Sequence, residues 1–187
     1  VARQLQVSRV PVREALRLLQ SQGVVVNEPY RGMRMMDVSR ERVAQVLTVR
    51  LALERLAVAD LRDRGRAAAV RDGLLKTVER MAAAERAGAA FEISRLDMAF
   101  HRQMVEATGN PALLRAWEPL ARQLTIMIRL SADNKPLSSI TAEHEDLAAA
   151  LVDLDAAALD ALLREHIFAY LKELGGRDPS PQQEATP

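Results

Sequence analysis

Three histidines and one aspartate carry the chemistry this sequence offers. His101 follows Asp97 by four residues, so in a helix both project from one side. Asp97 lies on a stripe with Ile93, Leu96, Phe100 and Met104. His144 shares a face with Leu147 and Leu151, and His166 shares one with Leu159, Leu162, Leu163 and Tyr170. Apolar residues at helical spacing face a core, and burying polar groups there without partners costs roughly 2–7 kcal/mol each. A divalent ion satisfies all four together: three neutral imidazoles and one carboxylate suit zinc first, with nickel or manganese next. Each residue also has an ordinary reading, as a core histidine hydrogen-bonded within the fold or, for Asp97 and His101, as an i, i+4 pair.

Helices must position these side chains. Amphipathic spacing predicts them over about 40–64, 67–86, 91–107, 112–130, 141–154 and 156–174. Ser39 caps the first, and Gly65, Gly88, Gly109-Asn110-Pro111 and Gly175-Gly176 mark the breaks. The stretch 131–138 reads as a polar loop and 175–187 as a disordered tail. With no strand signal after residue 36, these six helices make an antiparallel bundle. The absence of cysteine excludes a disulfide scaffold, a thiolate nucleophile and a zinc finger. No run approaches the ~18 uninterrupted apolar residues of a membrane span. The opening residues carry no signal-peptide pattern, so a cytoplasmic location is expected.

The net charge of +1 conceals an asymmetry. Residues 1–36 hold six basic and two acidic side chains, a balance of +4, whereas the other 151 residues carry 20 and 23, a balance of −3. A small basic segment leading a larger acidic one points to a polyanion partner for the first. Val1 to Gln6 reads as the end of a helix whose start is missing. Ser8 then caps a second helix, with Pro11 in its first turn and Gly23 at its end. Val12, Ala15, Leu16 and Leu19 form its apolar face, and Arg9, Arg13, Arg17 and Gln20 the opposite one. Val24-Val25-Val26, the turn residues Glu28 to Gly32, and Met33-Arg34-Met35 predict a hairpin with Arg31 and Gly32 at its tip. This order describes a winged helix-turn-helix, truncated at its start, with the Arg-bearing helix in a major groove of double-stranded DNA. Ser8, Arg9, Arg13, Arg17, Arg31 and Gly32 are its expected DNA-facing set.

The segment Val7-Ser8-Arg9-Val10-Pro11-Val12-Arg13-Glu14-Ala15-Leu16, with Gly23 and Pro29-Tyr30-Arg31-Gly32, resembles the DNA-binding half of the GntR family of bacterial transcription regulators. Val10 stands where that family usually places threonine. Asp97-Met98-Ala99-Phe100-His101, Gly109-Asn110-Pro111, Glu143-His144 and Glu165-His166 resemble the all-helical effector domain (FCD) of the family's FadR-type branch, and Val49-Arg50 with Leu53-Glu54 its opening helix. The resemblance implies residues 1–37 as a partial DNA reader and 38–174 as an effector-binding and dimerisation domain. It further implies a metal held by Asp97, His101, His144 and His166, as in the metal-dependent subset. A homodimer reading a palindromic operator, and repression released by a small carboxylate or hydroxy-acid effector, follow from the same likeness. Arg50, if it faces the same cavity, would pair with the effector's carboxylate; a surface or inter-helix salt bridge is its ordinary alternative. Two other functions remain open on the residues alone: a helical-bundle metalloenzyme, and a DNA-binding protein whose bundle only dimerises.

Overall fold

The computed structural model describes residues 2–130 and 137–173. Its elements run α1 (Arg9–Ser21), β1 (Val25–Glu28), β2 (Gly32–Met35), α2 (Arg40–Asp63), α3 (Ala67–Arg86), α4 (Ala90–Ala107), α5 (Pro111–Leu130), α6 (Leu137–Asp153) and α7 (Ala156–Glu173). The fold is mainly α, as the periodicity requires, with a DNA-reader-like head of one helix and one hairpin ahead of a six-helix bundle. Of the expected polar loop at 131–138, residues 131–136 lie outside the described residues, as does the expected tail at 175–187, while Leu137 and Ser138 already belong to α6.

The head keeps the expected order with three differences. Residues 2–6 form turns rather than a helix end; Gln6 closes them at φ 53°, its amide donating to the Arg3 carbonyl. Ser8 occupies the N-cap of α1 with extended backbone, yet its hydroxyl accepts no capping hydrogen bond. The arginines and the apolar residues of α1 are not on opposite faces. Arg9, Arg13, Arg17 and Gln20 line one open groove together with Val12, Leu16 and Met33. At 100° per residue Leu16 falls almost in register with Arg9, seven positions earlier, so the two sets adjoin. No residue of α1 is buried. The helix closes at Gly23, φ +71°, where the amides of Gly23 and Val24 donate to the carbonyls of Gln20 and Leu19, a wrap that only glycine adopts without strain. β1 and β2 pair antiparallel from Val25 opposite Met35 to Glu28 opposite Gly32, and the turn holds Tyr30 at φ 67°.

Ser39 starts α2, its hydroxyl accepting from the Arg42 amide as anticipated. In the bundle α3 packs between α4 and α6, while α2 lies against α4, α5 and α7. The main core joins Leu47, Leu51, Leu61, Leu74, Phe100, Met104, Leu124, Met127, Leu147 and Leu163, and Met36 at the end of the hairpin enters it. Trp117 centres a second cluster with Ala57, Val105, Leu113 and Ala121. Arg55 pairs with Asp160 to tie α2 to α7, and Arg40 donates to the Leu171 carbonyl near the end of α7. No helix among the described residues is long and apolar enough to cross a membrane. Because Leu74 is fully buried on α3, Leu74→Ala should lower stability by about 2–5 kcal/mol. Urea denaturation checks this, and a loss well below 1 kcal/mol would contradict the packing.

Candidate metal centre

Asp97 and His101 stand one turn apart on α4, His144 on α6 and His166 on α7. One ligand atom from each lies within 4.8 Å of all the others. All four predicted ligands are therefore brought together. They converge because each sits on its helix's inward stripe: Ile93, Leu96, Phe100 and Met104 on α4, Leu147 and Leu151 on α6, and Leu159 and Leu163 on α7 are all buried. The spacing suits a single small ion, since zinc–ligand bonds of about 2.0–2.2 Å leave neighbouring ligand atoms a few ångströms apart.

Neighbouring groups fix which ring nitrogens face inward. Nδ1 of His144 donates to the Ile140 carbonyl at 2.7 Å, and a carbonyl only accepts, so that nitrogen carries the proton. In the neutral ring Nε2 is then a lone pair, and it lies 3.0 Å from Asp97 Oδ1, another acceptor. Nδ1 of His101 donates to Glu54 Oε2 at 2.8 Å, turning its Nε2 towards His166 Nε2 at 2.9 Å and Asp97 Oδ1 at 3.4 Å. The Nε2 lone pairs of His144 and His101 thus point at the Asp97 carboxylate across a buried space. Only additional protons or a cation relieve that repulsion. The residues fit a divalent metal.

The electrostatics agree. Burial pushes the Asp97 carboxyl upward, but when Nε2 of His101 and His144 also carry protons, their hydrogen bonds hold it well below its ordinary value. Burial, with the cationic forms of His144 and His101 nearby, drops His166 to about 3, so its imidazole is neutral and free to ligate. For His101, burial and Arg50 lower the pKa, yet the carboxylates of Glu54 and Asp97 raise it overall. A metal would therefore compete with a proton for that ring.

Glu54 was not among the predicted site residues, and it organises the site. Its carboxylate is fully buried and accepts from Arg50 Nε at 2.6 Å, His101 Nδ1 at 2.8 Å and Trp117 Nε1 at 2.8 Å. Burial raises its pKa, and the Arg50 charge with the hydrogen bonds from His101 and Arg50 more than reverses that, so it stays ionised. A carboxylate on an inward stripe, four residues after an arginine, was the sequence signal. Glu143 is a second neighbour: its Oε2 lies 3.6 Å from His166 Nδ1. Arg50 is buried in an ion pair with Glu54 one turn on along the same helix, not in the surface or inter-helix salt bridge of its ordinary reading, and its Nη2 is buried without a partner. The six expected DNA-facing residues, Ser8, Arg9, Arg13, Arg17, Arg31 and Gly32, are all exposed.

Residues 45–169 match the family model for the FCD domain. The chain belongs to the FCD domain family. It is 28% identical over 176 residues to the "Probable D-xylose utilization operon transcriptional repressor" of Paenarthrobacter nicotinovorans, covering 91% of this chain and 75% of that protein. It is 27% identical over 172 residues to the gluconate operon transcriptional repressor of Bacillus subtilis (strain 168), covering 89% and 70%. The solved structure of E. coli McbR/YncC shares the fold at a TM-score of 0.72 and 22% identity, covering 92% of this chain and 82% of that one. GntR-type regulators are among the other solved structures with this fold. The FCD resemblance read from the bundle therefore holds, and the two matched relatives are named as transcriptional repressors, not enzymes.

Replacing a group that orients a metal-bound histidine costs typically about 10–100-fold in metal affinity. Glu54→Gln in this FCD domain should weaken zinc binding by that range, because the amide offers Arg50, His101 and Trp117 less charge. Competition with a chromogenic chelator measures it, and unchanged affinity would show that Glu54 does not orient His101.

Proposed function

We propose that this chain is a cytoplasmic, metabolite-responsive transcriptional repressor whose FCD domain holds a divalent metal, zinc before nickel or manganese, through Asp97, His101, His144 and His166. The observation that carries this reading is the convergence of four ligand atoms whose inward-facing nitrogens are set by Glu54 and by the Ile140 carbonyl. When bound, the metal supplies a Lewis acid able to take an anionic ligand. This chain's own residues do the rest: Glu54 orients His101, Phe100 packs edge-on against His144 with ring centroids 4.8 Å apart, and the surrounding core excludes water.

Arg50 supplies the second recognition element for a small carboxylate or hydroxy acid. Its buried, unpartnered Nη2 is a charged donor with hydrogen-bonding capacity left over after Glu54 has taken Nε. That one matched relative is named for a gluconate operon supports the same class of ligand. In this reading residues 1–37 read a palindromic operator as part of a homodimer, with residues 38–174 as the effector-binding and dimerising unit. Arg9, Arg13, Arg17 and Arg31 meet phosphates and base edges, Ser8 the backbone, and Gly32 lets the wing approach closely.

Two measurements test it. The purified chain, stripped and reloaded with zinc, should hold about one ion per chain. Asp97→Ala and His144→Ala should each abolish this, and a wild type that cannot be loaded would overturn the metal reading. For the head, affinity for duplex DNA of mixed sequence should fall steeply with salt. Arg9→Ala and Arg13→Ala should each reduce the log–log salt slope by about 1, and an unchanged slope would remove those arginines from the interface.

A further inference from the structure

A helix leaves its last carbonyls without intrahelical partners. At the end of α1 the Gln22 carbonyl finds one on a distant helix: Gln123 Nε2 of α5 donates to it at 3.1 Å. Gln123 is only 7% exposed, and its Oε1 is buried with no hydrogen-bond partner. The fit continues at the next residue, where a Cβ on Gly23 would lie 2.4 Å from Gln123 Nε2 and would push that amide aside. Two turns back along α5, Trp117 donates to Glu54, and Glu54 holds His101. Between Trp117 and Gln123 the helix runs on unbroken past Pro119. One helix therefore touches both the candidate metal centre and the C-terminal end of the Arg-bearing helix.

We propose that Gln123 is a positioning residue that links the metal centre to the DNA-reading head through α5, so that metal occupancy sets how firmly the end of α1 is held. The inference rests on the metal reading above. Metal bound at His101 would hold that ring, Glu54 and Trp117 in one arrangement, and the Gln123–Gln22 bond carries the constraint to α1. Because linkage is reciprocal, fixing α1 on DNA would favour the metal by the same factor.

The test is amide hydrogen exchange over residues 19–25 of the full chain, metal-free and zinc-loaded, with zinc stoichiometry measured on the same samples. In the wild type, zinc should slow exchange of the Gly23 and Val24 amides by about fivefold or more. In Gln123→Leu, zinc should still bind at the wild-type stoichiometry while the slowing disappears. Gln123→Glu keeps the shape, lacks the N–H donor and should behave likewise if the leucine variant is unstable. A purely structural contact would raise exchange equally with and without zinc and leave the zinc-dependent ratio intact, which would overturn the proposal. So would zinc-bound wild type whose exchange matches the metal-free chain. Failure of the wild type to take up zinc would overturn the metal reading and this inference together, and stoichiometry separates that case from the others.

Discussion

The structure of the bundle turns on one buried carboxylate. Glu54 has lost all contact with water and is kept charged by three donors from three helices: Arg50 on its own helix α2, His101 on α4 and Trp117 on α5. An isolated charge in such a place is prohibitively costly, and breaking a buried pair by removing one partner costs about 3–5 kcal/mol. The carboxylate therefore dictates where the three helices meet. By accepting the Nδ1 proton it also decides that His101 presents a bare Nε2 to Asp97 and His166. Structure and site are set by the same contact.

Much of this was legible in the sequence because the signals are local. Each bundle helix lies within a few residues of its expected bounds; α3 runs from Ala67 to Arg86 as predicted, between the breaks at Gly65 and Gly88. The clustering of Asp97, His101, His144 and His166 was legible for a related reason: a histidine or aspartate on an apolar stripe has to face the interior, and an interior has few ways to satisfy four such groups. Pairings across the bundle were not legible. Nothing in the local pattern places Trp117 on Glu54, Glu143 beside His166, or Gln123 on Gln22, because those contacts depend on how helices distant in sequence cross. The faces of α1 were misjudged for a simpler reason. Alternating runs of Val, Arg and Leu look like two sides when read linearly, whereas seven residues bring the helix almost back to its starting angle, so the apolar and basic sets share one groove.

Membership of the FCD domain family gives these contacts a functional frame. A regulator needs a site that senses and a head that responds, and a bundle whose polar groups all lay on its surface would have no internal element to connect them. Here the inward polar residues form a continuous set from α7 through α4 and α2 to α5. The arrangement concentrates ligand chemistry, charge and the single tryptophan in one region.

The most direct test of the central claim is long-range proton–nitrogen NMR of the chain labelled at its three histidines, before and after zinc. The account predicts that His101 and His144 keep their Nδ1 protons while their Nε2 resonances, with that of His166, move from free to metal-bound shifts. Zinc that leaves the three Nε2 resonances where they were, or that displaces the Nδ1 protons facing Glu54 and Ile140, would contradict it.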